Sequence, residues 1–100
     1  MRIVAKSRLR KYWETAGNER SQIYVNEWYH FCQAQNWSTP QDVTNALGNA
    51  SIVGNNRVVF NVKGNDYLIV CAMDYTRQAM FIKFVGTHKE YDKINVEEVE

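Results

Sequence analysis

The sequence predicts an α+β domain: an N-terminal strand and two to three helices packed on a small sheet, completed by a C-terminal three-strand antiparallel meander. Between about residues 9 and 47 the apolar residues recur at helical spacing, and from Arg57 onward the period changes to two. Helices gathered before strands, rather than alternating with them, mark an α+β arrangement of layers. The last predicted strand also runs into His88, Lys89, Glu90, Tyr91 and Asp92, a cluster that no buried core would choose.

Residues 2–5 suit a short first strand. Leu9, Tyr12, Trp13 and Ala16 then fall at i, i+3, i+4 and i+7, one face of a helix that Ser7 is placed to cap and that Gly17 and Asn18 can stop. A second helix is expected over about 19–36, with Tyr24, Trp28, Phe31 and Cys32 on its buried stripe. Thr39, Pro40 and Asp42 make a helix start: a capping hydroxyl, a proline where a missing N–H costs nothing, and an acid near the positive helix end. That short helix should run to about Leu47 and end at Gly48, with Trp37 and Val43 stapling its entry.

In the strand that begins at Arg57, Val58, Phe60 and Val62 should point one way, and Arg57, Val59, Asn61 and Lys63 the other. Residues 63–66 form a turn, and 67–73 return as a nearly all-apolar central strand. Residues 74–78 connect to a last strand over 80–85. There are no repeats or linkers, so residues 1–100 read as one domain, with the acidic tail near 95–100 expected to fray.

One hundred residues with 45% hydrophobic content can build one core and are not a disordered chain. No apolar run approaches the roughly 20 residues of a membrane span, and the N-terminus lacks a signal peptide's apolar stretch; a cytoplasmic protein is expected. Cys32 and Cys71, both among apolar neighbours, read as buried thiols. His30 stands two residues before Cys32, with no second pair to complete a four-ligand site, so neither a metal nor a cofactor is expected. Net charge is +1, unevenly placed: residues 1–89 carry eleven Lys/Arg against six Asp/Glu, and residues 90–100 one Lys against five acids. Such a body attracts a polyanion while its tail repels one.

Arg57, Asn61 and Lys63 on one strand face form a cationic stripe, either a plain solvent-facing side or a surface that meets an anion. His88, Lys89 and Tyr91 follow a strand of the same sheet. Cleavage of RNA through its own 2′-hydroxyl needs a group to take that proton, cations to stabilise the phosphorane, and a group to protonate the leaving 5′-oxygen. Histidine can serve either proton transfer near neutral pH, and Arg or Lys can hold phosphate. Tyr91 can stack on a base or orient a donor.

Three pieces, Gly54-Asn55-Asn56-Arg57-Val58-Val59-Phe60-Asn61, Lys63-Gly64-Asn65 and Gly86-Thr87-His88-Lys89-Glu90-Tyr91-Asp92, resemble the HigB family of bacterial toxins, within the RelE-like ribonuclease superfamily. The resemblance implies helices on one side of a small sheet and an RNA-facing concavity on the other. It implies a metal-independent endoribonuclease that cuts messenger RNA in the ribosomal A site, silenced by a HigA-type helix-turn-helix antitoxin, with DNA met only through that antitoxin. On this analogy His88 stands where relatives carry a catalytic His or Arg.

The expected catalytic set is His88, Lys63, Arg57 and Tyr91, with Asn61, Lys89, Arg77 and Lys83 binding RNA. Arg8, Arg10 and Lys11 of the first helix either contact ribosomal RNA or form a solvated face. One departure stands out: family members commonly carry Arg after the tyrosine that follows the turn, and here Leu68 follows Tyr67. Two rival readings share the fold, a nonenzymatic inhibitor of the gyrase-poison type and a degenerate toxin that only binds its antitoxin.

Overall fold

The computed structural model describes residues 1–64 and 66–100. Its elements in chain order are β1 (Arg2–Val4), α1 (Lys6–Glu14), α2 (Ser21–Gln33), α3 (Pro40–Ala46), β2 (Ser51–Val53), β3 (Arg57–Val62), β4 (Tyr67–Asp74), β5 (Ala79–Thr87) and α4 (His88–Tyr91). The five strands form one sheet in the order β1-β5-β4-β3-β2, with β1 parallel to β5 and every other pair antiparallel. Helices before a meander give the expected α+β layers. No helix among the described residues is long and apolar enough to cross a membrane.

The helices follow their apolar spacing with small shifts. Leu9 and Tyr12 of α1 are buried, while Ala16 is exposed beyond the helix end. The expected Ser7 cap is not formed: Ala5, at a φ of 72°, turns the chain directly from β1 into α1, so Ser7 already lies inside the helix. In α2 Trp28 and Cys32 are buried as expected, joined by Ser21 and Val25, while Tyr24 is half-buried and Phe31 exposed, so the stripe is turned part of one position from the expected one. The α3 start is as expected and more complete. Thr39 accepts from the Asp42 N–H, and Asp42 accepts from the Thr39 N–H, a reciprocal capping box.

The sequence reading missed β2. It pairs with β3 through a Gly54-Asn55-Asn56 turn in which Asn55 and Asn56 have φ of 63° and 57°, a region asparagine tolerates better than most residues. At the other end of β3, Lys63 and Gly64 have φ of 52° and 64°, so the chain leaves the strand's alternation after Val62. Asn65, in the expected turn, lies outside the described residues.

Two apolar layers sandwich the sheet. On the helix side, Val58, Phe60, Val62, Ile69, Cys71, Met73, Met80 and Ile82 meet Leu9, Val25, Trp28, Cys32, Trp37 and Val43. Phe60 is its centre, with the Trp28 ring edge-on at 5.3 Å and the Trp37 ring stacked at 6.3 Å. On the opposite side Val59, Leu68 and Val70 are buried beneath Tyr91, Ile94, Val96 and Val99. The tail expected to fray near 95–100 therefore lies folded across the sheet. Its turn is closed by bonds from the Glu98 and Val99 N–H groups to the Asn95 carbonyl.

The all-apolar run of β4 follows from this: Ile69, Cys71 and Met73 face the helices while Leu68 and Val70 face the tail. A bulge in β5 completes the second layer. Val70 pairs with Phe84 and Cys71 with Ile82, leaving Lys83 as the extra residue. Phe84, which strict alternation from Ile82 would send to the helix side, reaches the tail side instead.

Candidate functional site

The register brings one end of three strands into a row. Val62 of β3 pairs with Tyr67 of β4, and Tyr67 with Thr87 of β5. With strands about 4.8 Å apart, Val62 and Thr87 stand roughly 10 Å from each other. Lys63 and His88 each lie one residue beyond that row, so the fold brings these two expected residues to the same sheet end.

His88 opens α4, and its placement is built from local chemistry. Thr87 caps the helix, its side chain accepting from the Glu90 N–H, while Glu90 Oε1 accepts from the Thr87 N–H at 2.9 Å and from the Thr87 hydroxyl at 3.0 Å. The Tyr12 hydroxyl of α1 donates to the same Glu90 oxygen at 3.3 Å. Burial and the adjacent Glu90 carboxylate push the Tyr12 phenol up to about 12, which keeps it a proton donor. Sequence reading singled out neither Tyr12 nor the capping box for this site, although the Thr-x-x-Glu spacing of residues 87–90 signals one.

The His88 side chain is 56% exposed, and its Nδ1 lies 3.4 Å from Asp92 Oδ1, one helical turn on. A carboxylate at Nδ1 favours the N–H on that nitrogen, which leaves Nε2 as the lone-pair nitrogen of the neutral ring. Asp92 belongs to the sequence motif but carried no expected role; its i+4 spacing from His88 was the available signal. The Tyr91 ring lies 5.9 Å from the His88 ring and 6.3 Å from Phe84, half-buried against the tail-side layer. Lys89 is exposed beside His88.

Lys63 has left the strand alternation, so the expected Arg57–Asn61–Lys63 stripe is broken, although Asn61 and Lys63 border one pocket. Its Nζ lies 4.8 Å above the Tyr24 ring and 3.5 Å from Asp66 Oδ2. Lys63 borders an open pocket of ≈ 460 Å³ walled by Tyr24, Trp28, Phe31 and Leu47. Along the α1–β5 seam, Arg8, Lys11, Tyr12 and Phe84 line a second groove of ≈ 310 Å³.

Four expected residues stand elsewhere or are already engaged. Arg57 begins β3 while Lys63 follows its end; six residues of strand are roughly 20 Å, too far for both to hold one phosphate. Arg57 is moreover only 6% exposed, its Nη1 donating to the Val96 and Val99 carbonyls. Arg77 sits in the β4–β5 turn at the far end of the sheet, 3.8 Å from Asp74, and the fold does not bring it to His88. Lys83 occupies the β5 bulge, four residues short of Thr87, its carbonyl accepting from Arg8 at 2.8 Å. Asn61 donates its side-chain N–H to the Asn49 carbonyl at 2.6 Å. Cys32 and Cys71 are free and buried; burial pushes the Cys32 thiol up to about 12 and the Cys71 thiol well above its ordinary value.

Four helices and a five-strand mixed sheet among the described residues are consistent with a RelE-like fold. Residues 21–94 match the family model for the HigB toxin, described as the RelE-like toxic component of a toxin-antitoxin system. The chain belongs to that family, and an antitoxin partner follows from it. No curated protein matches the chain.

Proposed function

We propose that this toxin is a ribosome-dependent mRNA endonuclease, inhibiting translation by a cut that uses the RNA's own 2′-hydroxyl. The observation that carries the reading is the exposed His88, paired with Asp92 and one residue past a sheet-end row that also places Lys63. His88 transfers a proton, as acid or base, with Asp92 holding the ring. Lys63 and Lys89 meet the phosphate oxygens, where developing charge is greatest. Tyr91 supports the His88 ring, and the Thr87–Glu90–Tyr12 contacts fix α4. The silencing partner is a HigA-type helix-turn-helix antitoxin, through which alone the toxin meets DNA; the setting is the cytoplasm.

The test is induced expression followed by mapping of message 5′ ends. Cuts should appear with the wild type, and His88→Ala should slow the chemical step by about 10²–10⁴-fold. Products should carry a 5′-hydroxyl and a 2′,3′-cyclic phosphate or 3′-phosphate. A message with one 2′-deoxy sugar just 5′ of the cut should bind the toxin–ribosome complex and resist cleavage. Efficient cutting of that message, or 5′-phosphate ends, would point to activated water instead.

A further inference from the structure

Segment 94–100 is attached to the sheet in an unusual way. Its apolar anchors among the described residues are Ile94, Val96 and Val99, which join Val53, Phe84 and Tyr91 in packing over Val59, Leu68 and Val70. Its polar attachments come from the body of the protein, and every acceptor is a main-chain carbonyl. Arg57 Nη1 donates to Val96 and Val99, Asn55 Nδ2 to Glu97 at 2.9 Å, and Arg8 to Glu100 at 3.0 Å.

Arg57 is the least satisfied member. Its guanidinium is buried, its Nε has no acceptor, and it takes part in none of the ion pairs among the described residues. A buried guanidinium held by two neutral carbonyls, with its Nε unpaired, carries a desolvation cost that those bonds offset poorly and that an anion would offset better. Meanwhile the segment's own carboxylates, Glu97, Glu98 and Glu100, pair with no cation among the described residues. Gly54 allows Glu97 to lie close: a Cβ at position 54 would stand 3.0 Å from Glu97 Oε1.

We propose that segment 94–100 is a displaceable strap that covers an anion-binding face centred on Arg57, and that the anion it holds off is the phosphodiester backbone of an RNA strand. The identity of the anion rests on the ribonuclease reading; the strap does not. Seated, the strap consumes the Arg57, Asn55 and Arg8 donors and sets three carboxylates over the face, which repel a polyanion. Lifted, it leaves those donors free, with Phe84 and Tyr91 available to stack on bases. The few apolar anchors make such opening local, independent of unfolding the sheet. RNA and strap therefore compete for one set of donors. The toxin binds RNA weakly until the strap leaves, and Arg57, too distant from Lys63 to share its phosphate, holds one further along the same strand.

The experiment uses the full chain and a short fluorescein-labelled 2′-O-methyl RNA, which cannot be cut, so the result stands whether or not the protein is a ribonuclease. Val96→Ser with Val99→Ser removes anchoring without adding charge. This double variant, folded by circular dichroism, should bind the RNA about tenfold more tightly than the wild type, and adding Arg57→Gln should abolish the gain. Equal binding by the folded double variant, or a gain that survives Arg57→Gln, overturns the proposal. Hydrogen exchange on the wild type decides independently if the double variant does not fold. The Val99 amide, bonded to the Asn95 carbonyl, should exchange far faster than β3–β4 amides and faster still when RNA is added. Exchange as slow as that of the central strands would show a permanent layer and no strap.

Discussion

The two faces of the sheet are closed by different means. On one, three helices bury two tryptophans against Phe60, an uncharged centre whose Trp28 indole N–H also lacks an acceptor among the described residues. On the other, seven residues lay two valines and an isoleucine over a smaller patch, secured by an arginine that lacks an anionic partner. The helix face has what a permanent core needs, area and shape. The opposite face has a smaller apolar layer and a buried charge, which on the strap proposal keep closure marginal. On the strap proposal, stability and function are separated across one sheet, with His88 at the end of β5.

The contrast between the faces is greatest in the cost of deleting a side chain. Trp28→Ala should cost about 3–5 kcal/mol, most of a small domain's stability, because the ring fills the space between α2 and Phe60. Val99→Ala, on a half-buried strap side chain, should cost about 1 kcal/mol or less. Urea denaturation of the two variants measures the contrast, and equal losses would make the strap as much a core layer as the helices.

A sign, rather than a size, distinguishes the next variant. Arg57→Met removes a buried charge and keeps most of its volume, so the melting temperature should hold or rise by the equivalent of up to about 1 kcal/mol. A loss of several kcal/mol would mean that the guanidinium is a structural member whose carbonyl bonds outweigh its desolvation.

At neutral pH one effect is silent and appears only as a slope in alkali, and it belongs to the helix face. Cys32 and Cys71 ionise above their ordinary 9.0, and Tyr12 is raised from 10.0 to about 12. The unfolded chain therefore releases these protons first. Their contribution to stability is complete below about pH 9 and is lost progressively as pH rises toward 12. Urea midpoints should fall over that window, and Cys71→Ala should make the fall shallower. A midpoint that rises with alkali would contradict the burial of these groups.

Much of this was legible in order along the chain. The Thr39-Pro40-Asp42 start, the period-two alternation of β3 and the apolar run of β4 each depend on neighbours a few residues away, and each appears in the structure close to where it was expected. The catalytic candidates were legible in part. His88 and Lys63 share a sheet end because β3, β4 and β5 are a simple meander. Even the second layer had a signal, since Val59, Leu68 and Val70 are apolar on a face expected to be solvated or cationic. Leu68 is itself one of the seats of the 94–100 segment.

By itself, the sequence determined the α+β class, the family and most elements, though not β2 or α4, because helical and strand periods, caps and turn residues act over a span of about four residues. The tertiary structure alone decided which cations are free. Arg57 is occupied by carbonyls 39 and 42 residues away, Arg8 by one 92 residues away, and Lys63 is turned off its strand by a positive φ. The β5 bulge, visible only when two strands are paired, decided that Phe84 would face the strap. Local spacing says which face a side chain takes. Only the folded chain says what lies over that face, because covering it requires a segment whose distance along the sequence carries no periodic trace.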